Sequence, residues 1–283
     1  MLIFAVILSA ADFLISKLYQ KSHGDTLVSG LKFNFFVGLY SSIIFIIINK
    51  FKIEITLFSC ILAVFMTAIA IIFIIMGFSI IADGKTAYYV FFKSMGAMAV
   101  PYLWGILFLG EHPFESNILG LILITVSIFL MNSDMGKISV KNVFLCLCVF
   151  VLAGVVSIIS KEHSINSNAV SPVGYVILTS FVKILLCGGL LLFIKEKGER
   201  KSNNKGIVSV SLLCASSALV TGIAYMIQLI FAKDMPATLL FPLLTGGTII
   251  ASTISVGIVF KEKLSQKECI SIIICFVGTF MFV

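Results

Sequence analysis

Apolar positions run almost without interruption along this chain, in ten stretches set apart by short polar breaks. They lie at 2–20, 28–49, 55–81, 86–109, 115–132, 141–160, 170–194, 206–232, 235–260 and 265–283. Each approaches the ~20 residues that an α-helix needs to cross the hydrocarbon of a bilayer. Segments such as residues 69–78 are apolar on every face, whereas a membrane β-strand alternates lipid-facing with lumen-facing residues. The pattern therefore predicts an all-α integral membrane protein of ten transmembrane helices, with connections too short to hold a folded domain outside the membrane.

The ten stretches fall into two sets of five. Residues 83–132 can be laid on 234–283 without a gap, pairing Asp83 with Asp234, Gly96 with Gly247, Glu111 with Glu262 and Phe129 with Phe280. Nearer the front of each set, Ile15-Ser16-Lys17 matches Ile159-Ser160-Lys161, and an insertion in the basic loop near 195–205 accounts for the changed offset. The chain thus divides near 133–137 into a first five-helix repeat, 1–134, and a second, 135–283. An odd number of spans per unit makes the copies inverted, which is how many carriers build two access states. Ser9-Ala10-Ala11 weakly resembles a signal-peptidase site, but cleavage there would leave the helix at 141–160 without its repeat partner, so the first stretch reads as a retained helix.

Composition agrees with a membrane setting: 60% of residues are hydrophobic and 12% charged, and the mean hydropathy is +1.16. No water-soluble surface can be made from that mixture. The net charge of +7 is spread among loops beside apolar spans, which points to lipid headgroups and not to nucleic acid. Lys50, Lys52, Lys161 and Lys233 fall on the side of the termini and twelve basic residues on the other; by the positive-inside rule alone, both termini lie outside. The seven cysteines fall inside predicted spans without a C-x-x-C pair, as reduced, buried apolar residues.

With its length, its five-plus-five pattern and Leu109-Gly110-Glu111 closing the fourth helix, the chain resembles the EamA-like ten-helix carriers of the drug/metabolite transporter superfamily. The second copy departs from that ending, reading Phe260-Lys261-Glu262. The resemblance covers essentially the whole chain. It implies a multi-pass protein of the bacterial plasma membrane that exports or exchanges amino acids, other small metabolites, sugars, nucleotide sugars or drugs, with rocking of the third, fourth, eighth and ninth helices. It also implies cytoplasmic termini, opposite to the lysine count, so orientation stays open.

Several polar residues interrupt the spans. Asp12 stands mid-span on a face with Ser9, Ser16 and Tyr19; a carboxylate there must be paired, protonated or hydrated, so it reads either as a proton-coupling or amine-binding group or as the partner of a lysine. Lys93 shares a face with Tyr89, Gly96 and Trp104, and Lys183 with Tyr175, Thr179 and Cys187. Both ammoniums read as receivers of a carboxylate or phosphate, or as structural charges that neutralise Asp12 or back a helix C-terminus. On the ninth helix Thr238, Thr245, Thr248, Ser252 and Ser255 form a stripe suited to a ligand or to a neighbouring helix. Tyr225 and Gln228 follow Thr221 at helical spacing, and Lys32 is close enough to its helix end to snorkel. Glu111 and Glu262 read as helix-end structure.

No Walker A, H-E-x-x-H or G-x-S-x-G sequence is present, and His23, His112 and His163 are placed in three different loops. The expectation is no enzyme, no cofactor and no metal, but a secondary carrier for a small-molecule substrate. It would be driven by a gradient, with a proton as one candidate coupling ion, or by exchange, and be lipid-embedded as a monomer or homodimer. The candidate substrate-binding residues are Asp12, Tyr89, Lys93, Trp104, Tyr175, Thr179, Lys183, Tyr225, Gln228, Thr245 and Thr248. An exchanger or flippase for phosphate-bearing or lipid-linked sugars, and a non-transporting subunit or receptor, are the alternatives.

Overall fold

A computed structural model describes residues 1–24, 26–83, 85–131, 139–194, 207–260 and 265–282. The division at 133–137, the basic loop at 195–205 and Glu262 lie outside the described residues. Ten α-helices and no strand are found among those described. They are α1 (Leu2–His23), α2 (Leu27–Ile48), α3 (Leu57–Ala82), α4 (Thr86–Phe108), α5 (Glu115–Met131), α6 (Val140–Ile165), α7 (Pro172–Phe193), α8 (Ile207–Asp234), α9 (Ala237–Phe260) and α10 (Gln266–Phe280). Eight are long and apolar enough to cross a membrane, while α5 and α10 are shorter, at 17 and 15 residues. The chain is a multi-pass helical membrane protein.

The helix starts are written locally. Thr26, Thr56, Ser139 and Ser171 each precede a helix and accept a hydrogen bond from the backbone N–H three residues on, and Pro172 supplies a preset φ at the first position of α7. Ser265 and Glu268 make a reciprocal capping box at α10. α6 runs further than the apolar pattern predicts, to Ile165, so Lys161 and His163 are helical and buried instead of lying in a loop. His23 likewise belongs to the last turn of α1. The apolar signal fades before the backbone does, because the closing turn of α6 buries polar groups that have partners on other helices.

α1 packs on α8 and α9, α6 on α3 and α4, α2 on α7 and α8, and α3 on α7, while α4 meets α9 and α5 meets α10. Small residues set the closest crossings. A Cβ at Gly96 of α4 would overlap the backbone carbonyl of Phe150 on α6, and Gly247 of α9 lies against the Val6 side chain on α1. Since a backbone cannot swing aside as a side chain can, Gly96→Ala should force α4 from α6 and destabilise the protein by about 2 kcal/mol. Thermal unfolding in detergent tests this, and an unchanged melting temperature would mean that the crossing is looser than described.

Candidate functional site

Halfway along the bundle, where five helices pass without closing on one another, lies a cavity of about 300 Å³. α1 presents Ser9 and Asp12 to it, one turn apart. α7 presents Val176, Thr179, Ser180 and Lys183, a single face at helical spacing, and α8 presents Thr221, Tyr225 and Gln228. α2 adds Val37 and Ser41, and α3 adds Met66, Thr67 and Ala70. The lining is thus mainly apolar, with one carboxylate, one ammonium and a few hydroxyl and amide groups, the usual make-up of a small-molecule site.

The polar groups differ in how fully they are engaged. Ser217 on α8 donates to Asp12 Oδ1 at 2.5 Å, which fixes one carboxylate oxygen and joins α1 to α8. Ser180 Oγ donates to Ser41 Oγ at 2.9 Å, tying α7 to α2. Thr179 returns its hydroxyl to the Tyr175 carbonyl at 2.9 Å. Thr221 Oγ1, in contrast, is buried and has no hydrogen-bond partner, an arrangement that costs free energy until a ligand or water supplies one.

Five of the candidate residues therefore come together here: Asp12, Thr179, Lys183, Tyr225 and Gln228. Tyr175 is fully buried beside the cavity, with its ring stacked on His163 and its hydroxyl 3.7 Å from Met66 Sδ. The others are elsewhere, since none of the lining residues belongs to α4 or α9. The Tyr89 ring covers Gly77 of α3, and Lys93 Nζ stands 5.7 Å from the Phe73 ring and 5.8 Å from that of Tyr89. Trp104 stacks on Phe108 and donates its indole N–H to Glu162 Oε1 at 2.7 Å. Thr245 and Thr248 sit half-buried on α9. Ser41, Met66, Thr67, Ser180 and Ser217 were not singled out by the sequence. Of these, Ser180 and Ser217 carried a helical-spacing signal, Ser180 three residues before Lys183 and Ser217 four before Thr221.

A second polar assembly closes the α8–α9 end of the bundle. Glu111 accepts from the Ala237 and Thr238 backbone N–H groups at 2.7 and 2.8 Å and from the Thr238 hydroxyl at 2.8 Å. Lys161 Nζ donates to the Ala232 and Met235 carbonyls, both at 2.7 Å. Ser59 Oγ meets His163 Nε2 at 3.0 Å and accepts from the Val170 N–H at 3.0 Å. Among the described residues no group of His, Cys, Asp and Glu is placed to hold a metal ion.

No family model matches the chain. No curated protein matches it in sequence either. A protein solved by crystallography is similar in fold, with a TM-score of 0.78 and 13% sequence identity over 99% of this chain and 94% of its own. At that identity the likeness speaks for the fold alone.

Proposed function

We propose that the chain is a secondary transporter of the EamA-like kind, which carries a small polar metabolite such as an amino acid across a bacterial plasma membrane by alternating access. The observation that carries this reading is the mid-bundle cavity with Asp12 and Lys183 on separate helices and the unpartnered Thr221 hydroxyl between apolar walls. Ionisable side chains are costly at that depth, and they persist where they serve a ligand or an ion. A dipolar solute with one ammonium and one carboxylate would meet both charges, and about 300 Å³ suits a molecule of amino-acid size. A phosphate-bearing or lipid-linked sugar fits less well, being larger and repelled by Asp12.

Helix packing supports a doubled architecture of 1–134 and 135–283. Exchanging the first five helices with the last five turns the packed pair α4/α6 into α9/α1, α3/α6 into α8/α1 and α2/α8 into α7/α3. It returns α2/α7, α4/α9 and α5/α10 to themselves. The same exchange carries the Gly96–Phe150 approach onto Gly247–Val6, residues that the two sequence offsets pair. Charge does not follow this symmetry: Asp12 corresponds to Val156 and Ser217 to Met66, so a ligand would be held asymmetrically within a near-symmetric frame. α3 and α8 border the cavity, together with α1, α2 and α7 and without α4 and α9, so the moving parts we propose are those five.

A thermal-shift screen of metabolites against the purified protein, followed by uptake into proteoliposomes, tests the reading. A transported amino acid should stabilise the protein by about 2.7 kcal/mol at a hundred times its Kd. Its N-acetyl and decarboxylated analogues, each lacking one charge, should give little shift. Absence of any binding or uptake, together with stable co-purification of another protein, would favour a non-transporting subunit instead.

A further inference from the structure

Beside the α6–α7 turn and the end of α8 lies a second pocket, of about 600 Å³. Its wall includes His163, Ser171, Leu229, Lys233 and Asp234. The partition between it and the central cavity is made of three rings and a thioether. His163, on the outer side, stacks on Tyr175 at 3.6 Å between centroids. The Tyr175 hydroxyl points at Met66 Sδ from 3.7 Å and the Tyr225 hydroxyl from 3.2 Å, and Met66 and Tyr225 themselves line the central cavity. On α8 the boundary passes between neighbours, with Gln228 facing the inner space and Leu229 the outer.

We propose that the outer pocket is a vestibule through which substrate reaches or leaves the central cavity, and that Met66, Tyr175 and Tyr225 form the closed gate between the two. This rests on the transport reading above. The vestibule carries Lys233 and Asp234, the same two signs of charge as Lys183 and Asp12, so a dipolar solute would exchange one set of partners for another instead of crossing a long apolar layer. The gate is built to part. A thioether is a weak acceptor on a flexible stem, and the firmest tie at its centre is the 3.0 Å contact between the Tyr225 and Ser160 hydroxyls.

The test is chemical access to the central cavity from the α8–α9 face. Ala70→Cys places a thiol on the cavity wall. In proteoliposomes of known orientation, a membrane-impermeant methanethiosulfonate is added on that face and each modified cysteine is read by peptide mass spectrometry. Adding Met66→Ala and Tyr225→Ala should speed modification at position 70 about tenfold, and Tyr225→Phe, which keeps the ring and loses both hydroxyl contacts, about threefold. Buried Cys146 and Cys275 report the fold; if they react as well, the alanine variant has loosened globally and Tyr225→Phe decides. Unchanged labelling at position 70 in the folded gate variants overturns the gate. Because labelling needs no substrate, it does so whether or not transport is found, whereas a lack of transport bears on the reading above alone.

Discussion

Lys183→Met should reduce uptake about a hundredfold, equivalent to ~2.8 kcal/mol of lost recognition, while the melting temperature stays near that of the native protein. The methionine fills similar space, but the substrate carboxylate would then shed its hydration without a cation to replace it. The fold is expected to tolerate the change because Asp12 has its own partner: the Ser217 hydroxyl holds Oδ1 from α8, independently of α7. If Lys183 serves instead to neutralise Asp12, the single substitution leaves a buried charge uncompensated and lowers the melting temperature, and Asp12→Asn added to Lys183→Met restores it. Melting and uptake measured on the same preparations separate the two outcomes. Normal values of both in Lys183→Met would remove this lysine from either role.

On α7 the face turned inward is legible in the sequence, whereas on α4 the predicted face leaves Lys93 exposed, and the neighbour a helix meets is not legible at all. Lys183 and Thr179 share a face by spacing alone, and so do Tyr89 and Lys93. What separates the two pairs is that α7 borders an open space while this part of α4 lies against the Phe73 ring and Gly77 of α3. Trp104 belongs to the same stripe, yet its indole finds Glu162, 58 residues away. Contacts of that kind, like Ser217 with Asp12 across 205 residues, are set by helix packing: spacing shows which face a residue shares but not the partner it finds. Element ends are legible where a cap is written in the chain, as at Thr56 and Ser171, and illegible where tertiary partners prolong a helix, as at the end of α6.

Lys161→Met should have the largest effect on stability, a loss of about 4 kcal/mol from two charge-assisted hydrogen bonds. Lys161 is 5% exposed, and its ammonium donates to the Ala232 and Met235 carbonyls where α8 ends. Two residues on, Glu111 accepts from the first backbone N–H groups of α9. The tight turn between α8 and α9 is therefore clasped from both sides, by a cation at the negative end of one helix dipole and a carboxylate at the positive end of the next. Methionine fills the space but cannot donate, so two carbonyls lose their partner and Glu111, Glu162 and Asp234 lose the cation among them. The melting temperature in detergent should fall accordingly, and substrate affinity measured well below it should not, because Lys161 does not border the central cavity. Unchanged melting would show that water replaces the ammonium at these carbonyls; weakened binding at low temperature would place Lys161 on the substrate path.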